Sequence, residues 1–172
     1  MKTRPVVYVS TVGDTLLAVI NSFWSAVRDD SLNVNKVYLL CSDDDEKRGI
    51  KGTYRNFEKL KNKIAELAQI LKLPLTLDDI HLKIIKEEDP VSVYNAIKRL
   101  YKELGKQYEF CIDITGGRKT MSSGALLFAK DKGLKCYYFW LFDPRKNGSK
   151  KLDELAERID YELIRVHELW KK

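Results

Sequence analysis

Cysteine, histidine, methionine and long apolar runs are scarce in this 172-residue chain, and each scarcity narrows what it can be. The three cysteines, Cys41, Cys111 and Cys136, are far apart and form no CxxC pair. That spacing offers neither a zinc knuckle nor a disulfide framework, and each cysteine sits in an apolar run that suits a buried free thiol. No apolar stretch approaches the length that spans a bilayer. The apolar start Pro5 to Tyr8 is too short for the core of a signal sequence, so a cytoplasmic protein is expected. Glutamine occurs twice while lysine and glutamate abound, a balance that leans towards a thermophilic source. No internal repeat, low-complexity segment or dense basic run appears. The formal charge of +6 is compatible with an anionic ligand without requiring one.

What is present is an alternation. Pro5 to Ser10, Lys36 to Cys41, Ile80 to Ile85, Tyr108 to Ile112 and Lys135 to Leu141 read as near-continuous apolar strands. Between them, Thr15 to Arg28, Thr53 to Leu71, the segment opened by Asp89-Pro90, and Lys119 to Asp131 carry helical periodicity. Asp14 is expected to cap the first helix. Asp143 to Lys151 reads as a loop and Leu152 to Arg158 as helical. Tyr161 to Val166 reads as either a sixth strand or part of a terminal helix. Apolar strands alternating with helices predict an α/β, Rossmann-like domain: a mostly parallel sheet of five or six strands with helices on both faces. One domain over residues 1–172 is expected, with a core over 5–142 and a C-terminal loop and helix or strand over 143–172. Phe23, Trp24, Tyr137, Tyr138, Phe139 and Trp140 are expected in the core.

In such sheets, ligands bind outside the carboxyl ends of the strands. Two loops are therefore of interest. The first runs from Ser10 to Asp14. The second is Asp113-Ile114-Thr115-Gly116-Gly117-Arg118-Lys119. The paired glycines permit positive φ and close backbone approach, and would present N–H groups at a helix start, which favours phosphate. Lys119 falls in the first helical turn, where a cation opposes the helix dipole unless an anion sits beside it. The spacing does not fit a Walker A loop, and no GxGxxG follows the first strand. The run Asp43-Asp44-Asp45-Glu46 reads as a solvated loop, and no metal site is expected. Thr53-Tyr54-Arg55 is placed to close over a ligand, and Arg145 or Lys146 to reach phosphate or to remain a solvated basic loop.

A strand ending in D-x-T-G-G-x-K before a small-residue helix resembles the central motif of CARF domains of type III CRISPR systems. Tyr8-Val9-Ser10-Thr11-Val12-Gly13 followed by Asp14-Thr15-Leu16-Leu17 resembles the amino-terminal signature of the same family. The likeness covers roughly residues 5 to 142. It implies a homodimer with a cyclic oligoadenylate on its two-fold axis, cyclic tetra-adenylate first among them. No HEPN ribonuclease is expected with the domain: neither His81 nor His167 follows an arginine at the four-to-six-residue spacing such enzymes use. A CARF domain alone resembles the ring nucleases, which cut the cyclic messenger. The resemblance implies metal-independent attack of a ribose 2′-OH on the adjacent phosphorus, with no cofactor. Lys119 would stabilise charge, and Ser10 or Thr11 would position the ribose or phosphate. Gly13, Asp14, Asp113, Thr115, Gly116, Gly117 and Arg118 would bind the ligand, with a salt bridge the other role open to Arg118. Two alternatives compete: a non-catalytic sensor domain of a larger effector, and a regulator binding duplex DNA, which is not expected here.

Overall fold

A computed structural model of the chain describes residues 4–142 and 160–171. The elements expected over 143–158, including Arg145 and Lys146, lie outside the described residues. Six strands form one sheet: β1 (Val6–Thr11), β2 (Val34–Ser42), β3 (Ile80–Ile85), β4 (Glu109–Asp113), β5 (Lys135–Leu141) and β6 (Tyr161–Arg165). Their order is β3-β2-β1-β4-β5-β6. The first five are parallel, and β6 joins antiparallel to β5. The ambiguous segment after residue 160 is therefore a strand, and it is followed by a 3-10 turn over Val166–Lys171.

Helices α1 (Leu16–Asp30) and α2 (Phe57–Ile70) cover one face, and α3 (Pro90–Leu104) and α4 (Lys119–Lys132) the other. The alternation of β1 makes this possible. Val6 and Tyr8 enter the core beneath α1 and α2, while Val7 and Val9 enter the core beneath α3 and α4. A strand buried on both sides reads as a continuous apolar run, which is why β1 shows no polar alternation. Asp89 caps α3 by accepting from the Val91 N–H at 2.9 Å, with Pro90 at the first helical position. The small residues of α4 let it lie close on α3: a Cβ on Gly124 would fall 2.2 Å from the Pro90 carbonyl oxygen.

Three expectations are corrected. Thr15, not Asp14, is the N-cap of α1, and no side-chain hydrogen bond is made there. The helix expected over Thr53 to Leu71 begins with a separate 3-10 turn, Thr53–Asn56. Thr53 is pinned to the end of β2: its Oγ1 accepts from the Ser42 N–H at 2.9 Å, and its own N–H donates to Ser42 Oγ at 3.1 Å. That anchorage fixes the chain before the α-helix starts. Trp140 is 48% exposed, whereas its neighbour Phe139 is buried and stacks on Tyr161 with ring centroids 4.8 Å apart. Successive strand residues point to opposite faces, and only the Phe139 side is covered at this end of the sheet. Phe23, Trp24 and Tyr137 are in the core as expected, with Tyr138 half-buried.

Candidate functional site

The chain runs outward from β1 to β3, then returns to place β4 on the other side of β1. The β1/β4 boundary is thus the topological switch point, the position at which sheets of this kind bind ligands. Both loops singled out by sequence leave from these two strands.

Their junction is held by a buried polar network. Ser10, next to last in β1, and Asp113, last in β4, are direct register partners. They share the α1 face with Tyr8 and Cys111 by strand alternation. Asp113 is fully buried and accepts from Ser10 Oγ at 2.7 Å, Ser22 Oγ at 2.8 Å and the Thr115 N–H at 2.9 Å. Thr115 Oγ1 donates to Ser22 Oγ at 3.1 Å and accepts from the Phe139 N–H at 2.9 Å, which brings in β5. Burial pushes the Asp113 carboxyl above its ordinary range, against the opposing pull of its hydrogen bonds from Thr115, Ser10 and Ser22. Burial, and then the nearby Asp113 charge, push the Tyr8 phenol well up.

The two loops also meet backbone to backbone. A Cβ on Gly13 would lie 2.0 Å from the Gly116 carbonyl oxygen. One on Gly116 would lie 2.6 Å from the Thr11 carbonyl oxygen, and one on Gly117 would strike Thr11 Cβ at 2.6 Å. Neither Gly116 nor Gly117 has positive φ. Of the two reasons for glycine here, close approach is the one the fold uses, and left-handed backbone is not.

This geometry redistributes the expected roles. Ser10 is 0% exposed and Thr11 1%, so neither hydroxyl that was expected to position a ribose reaches the surface. Thr11 Oγ1 accepts from the Gly117 N–H at 3.1 Å, so that amide is already used. Asp113 and Thr115 are committed to the internal network in the same way. Gly13 is buried, and Asn56 Nδ2 donates to its carbonyl oxygen at 3.4 Å. Facing solvent at the rim of the two loops are Asp14, Arg118 and Lys119. Lys119 is the first residue of α4, whose first turn has no acidic residue. The amide of Gly116 has no partner among the described residues, and the first amides of α4 lack intrahelical acceptors by construction. Arg118 differs from Lys119: its Nη1 lies 2.8 Å from Glu87 Oε1.

Thr53-Tyr54-Arg55, expected to close over a ligand, instead braces the loop after β2. The Arg55 guanidinium and Tyr54 hydroxyl both turn to Asp44, and Asp44 Oδ1 accepts from the Gly52 N–H at 2.7 Å. Sequence reading missed Ser22, Asn56 and Glu87. Ser22 left one signal, a polar residue amid the apolar run of α1. The other two left none. Among the described residues, no group of three or more His, Cys, Asp or Glu is placed to hold a metal ion. No described helix is long and apolar enough to cross a membrane.

A Rossmann-like sheet with a glycine-packed loop pair and a lysine-led helix at its switch point fits the CARF-type domain that the sequence resembles. No family model matches the chain. A CRISPR system ring nuclease of Saccharolobus solfataricus is 31% identical over 156 residues, covering 87% of this chain and 79% of that protein. Solved structures share the fold. Csm6 of Enterococcus italicus, bound to cyclic hexa-2′-fluoro-hexa-dAMP, matches 98% of this chain with a TM-score of 0.59 at 12% identity. Can2 of Sulfobacillus thermosulfidooxidans, in complex with cyclic tetra-adenylate, matches 77% with a TM-score of 0.51 at 15% identity. The chain spans 44% of the Csm6 chain and 31% of the Can2 chain. By its likeness to the Saccharolobus protein, the chain belongs to the family of CRISPR system ring nucleases.

Proposed function

We propose that the chain binds a cyclic oligoadenylate, cyclic tetra-adenylate first, across the two-fold axis of a homodimer, and cleaves it slowly without a metal. The observation that carries this reading is Lys119: an exposed cation at the first position of α4, without an ion pair among the described residues, beside free amides at the switch point. Family membership supports the same reading. A ring of four identical nucleotides suits two identical loop pairs facing each other.

The reaction needs only groups of the ligand and this rim. The 2′-oxygen of one ribose attacks the adjacent phosphorus, the bond to the 5′-oxygen breaks, and the proton leaving the 2′-OH is balanced by one taken up at the 5′-oxygen. Two such cuts turn the tetramer into linear diadenylates ending in 2′,3′-cyclic phosphates. Lys119 and the Gly116 and first-turn amides stabilise the charge that builds on the phosphoryl oxygens. Ser10, Thr11, Asp113 and Thr115 act beneath the surface by fixing where those amides and Lys119 stand, which orients the ring for in-line attack. Neither histidine stands at these loops. His81 lies on β3, and His167 packs against the Cys136 backbone. Proton transfer thus lacks a dedicated acid or base, which is why the proposed enzyme is slow.

The test is incubation of pure protein with cyclic tetra-adenylate in EDTA, followed by chromatography. Linear product is expected from the native protein and none from Lys119→Ala. Binding that survives for many hours without cleavage would favour the sensor reading. That second reading draws support from Csm6 and Can2, in which the matched part is a minority of the chain.

A further inference from the structure

We propose that Glu87 is a positioning residue that withholds Arg118 from the anion site and so sets how tightly the ring is held; this rests on the reading of the site given above. Arg118 and Lys119 are adjacent cations at the start of α4, yet their surroundings differ. Glu87, in the turn between β3 and α3, sits with its side chain 13% exposed and its Oε1 at 2.8 Å from Arg118 Nη1. The same residue takes Thr120 as well, whose Oγ1 donates to the Glu87 carbonyl oxygen. Arg118 and Thr120 therefore both turn towards the β3–α3 loop, and Lys119 between them is left at the rim.

The other carboxylate oxygen, Glu87 Oε2, is buried with no hydrogen-bond partner. A largely buried carboxylate with one orphaned oxygen depends on its one ion pair, and losing that pair would leave a buried charge uncompensated. Glu87 thus holds the guanidinium firmly, and an incoming phosphate must compete with it. The result, among the described residues, is one free cation where the sequence offers two adjacent ones. For an enzyme that must also release a shorter, charged product, this restraint keeps the ring from being held too long.

Removing the carboxylate charge frees Arg118 to add one exposed ion pair to the ligand, which predicts binding roughly two- to fivefold tighter. The experiment measures the Kd for cyclic tetra-adenylate at two salt concentrations for the native protein, Glu87→Gln, Arg118→Ala and the double variant. Melting curves run in parallel to show that each is folded. Glu87→Gln is expected to tighten binding and steepen its salt dependence. In the Arg118→Ala background the same change is expected to do nothing, because the guanidinium it acts through is gone. Glu87→Asp, which keeps the charge but shortens the reach, is expected to give an intermediate tightening and serves if the glutamine variant does not fold. Unchanged or weaker binding by folded Glu87→Gln overturns the proposal, as does equal tightening with Arg118 absent. A native protein that ignores the ring overturns this proposal together with the reading it rests on; a native protein that binds it, with a silent Glu87→Gln, overturns this proposal alone.

Discussion

Asp113 gives the sharpest test of how the site is built, because its two environments act in opposite directions. Burial disfavours its charged form, and three donors favour it. With the folded-state carboxyl raised above its unfolded value, the folded protein binds a proton more tightly than the unfolded chain. The sign follows from linkage. The group's contribution to stability is fully present below the unfolded carboxyl range and is lost as pH rises through the raised folded value. Asp113→Asn keeps the volume and removes the charge. Asn can still accept from the Thr115 N–H and from Ser22 Oγ through Oδ1, and the Ser10 hydroxyl can rotate to accept from its amide. One imperfect hydrogen bond costs about 1 kcal/mol, so the variant should be less stable than the native protein by about that much near pH 4. The gap should shrink as pH rises and reverse once the native carboxylate is charged. Asp113→Ala has no such compensation. Three donors lose their acceptor at about 1 kcal/mol or more each, so the loss should be about 3 kcal/mol.

The assay is urea unfolding of native protein and both variants from pH 4 to pH 8, compared at equal slope. All other titrating groups are shared, so the difference curve isolates Asp113. A native-minus-Asn gap that widens as pH rises would refute the reasoning. It would mean that the three hydrogen bonds outweigh burial and that the network exists to stabilise a charge. Ring cleavage should fall in both variants although Asp113 touches no ligand, since the carboxylate fixes the loop that carries Gly116 and Lys119.

Gly13→Ala should destabilise the fold by about 3 kcal/mol and abolish ring binding, because its Cβ would meet backbone that cannot rotate aside; melting curves and ring titration check both. Thr11→Val removes the acceptor of the Gly117 N–H at nearly constant volume, for a cost of about 1–2 kcal/mol by chemical denaturation, with cleavage reduced further than stability alone accounts for. The thiols should be inert in the native state. Burial pushes Cys41 and Cys136 up to about 12 and Cys111 well up, so alkylation at pH 8 should wait for denaturant, and prompt native labelling would show that the cores are open.

The fold was legible because a doubly covered parallel sheet writes itself as apolar runs split by helices, and β3 and β5 fall on the residues the pattern marks. The site was legible as a place, since both loops of the switch point carried their signal in sequence. It was less legible as a set of roles. Ser10, Thr11 and Thr115 have the chemistry of ligand contacts, and nothing in one dimension says that their hydroxyls close on Asp113, Gly117 and the Phe139 N–H instead. Ser22 completes that closure from a distant helix, where its spacing makes it look like a lapse in the apolar stripe. Glu87 lies 31 residues before Arg118 by the numbering, and its hold on that side chain is a product of helix packing alone.

A loop that must offer bare amides to phosphate cannot satisfy its own backbone on the outer side, so its rigidity has to come from within. Here it comes from three glycines packed without Cβ atoms and from a buried carboxylate bridging β1, β4 and α1, with Thr115 carrying the linkage on to β5. The motif residues Ser10, Thr11, Asp113 and Thr115 therefore do most of their work facing inward. Lys119, Asp14 and the unpaired amides face outward without a partner among the described residues, and on the proposed reading that division is what would let a weakly armed rim hold a charged ring in one orientation.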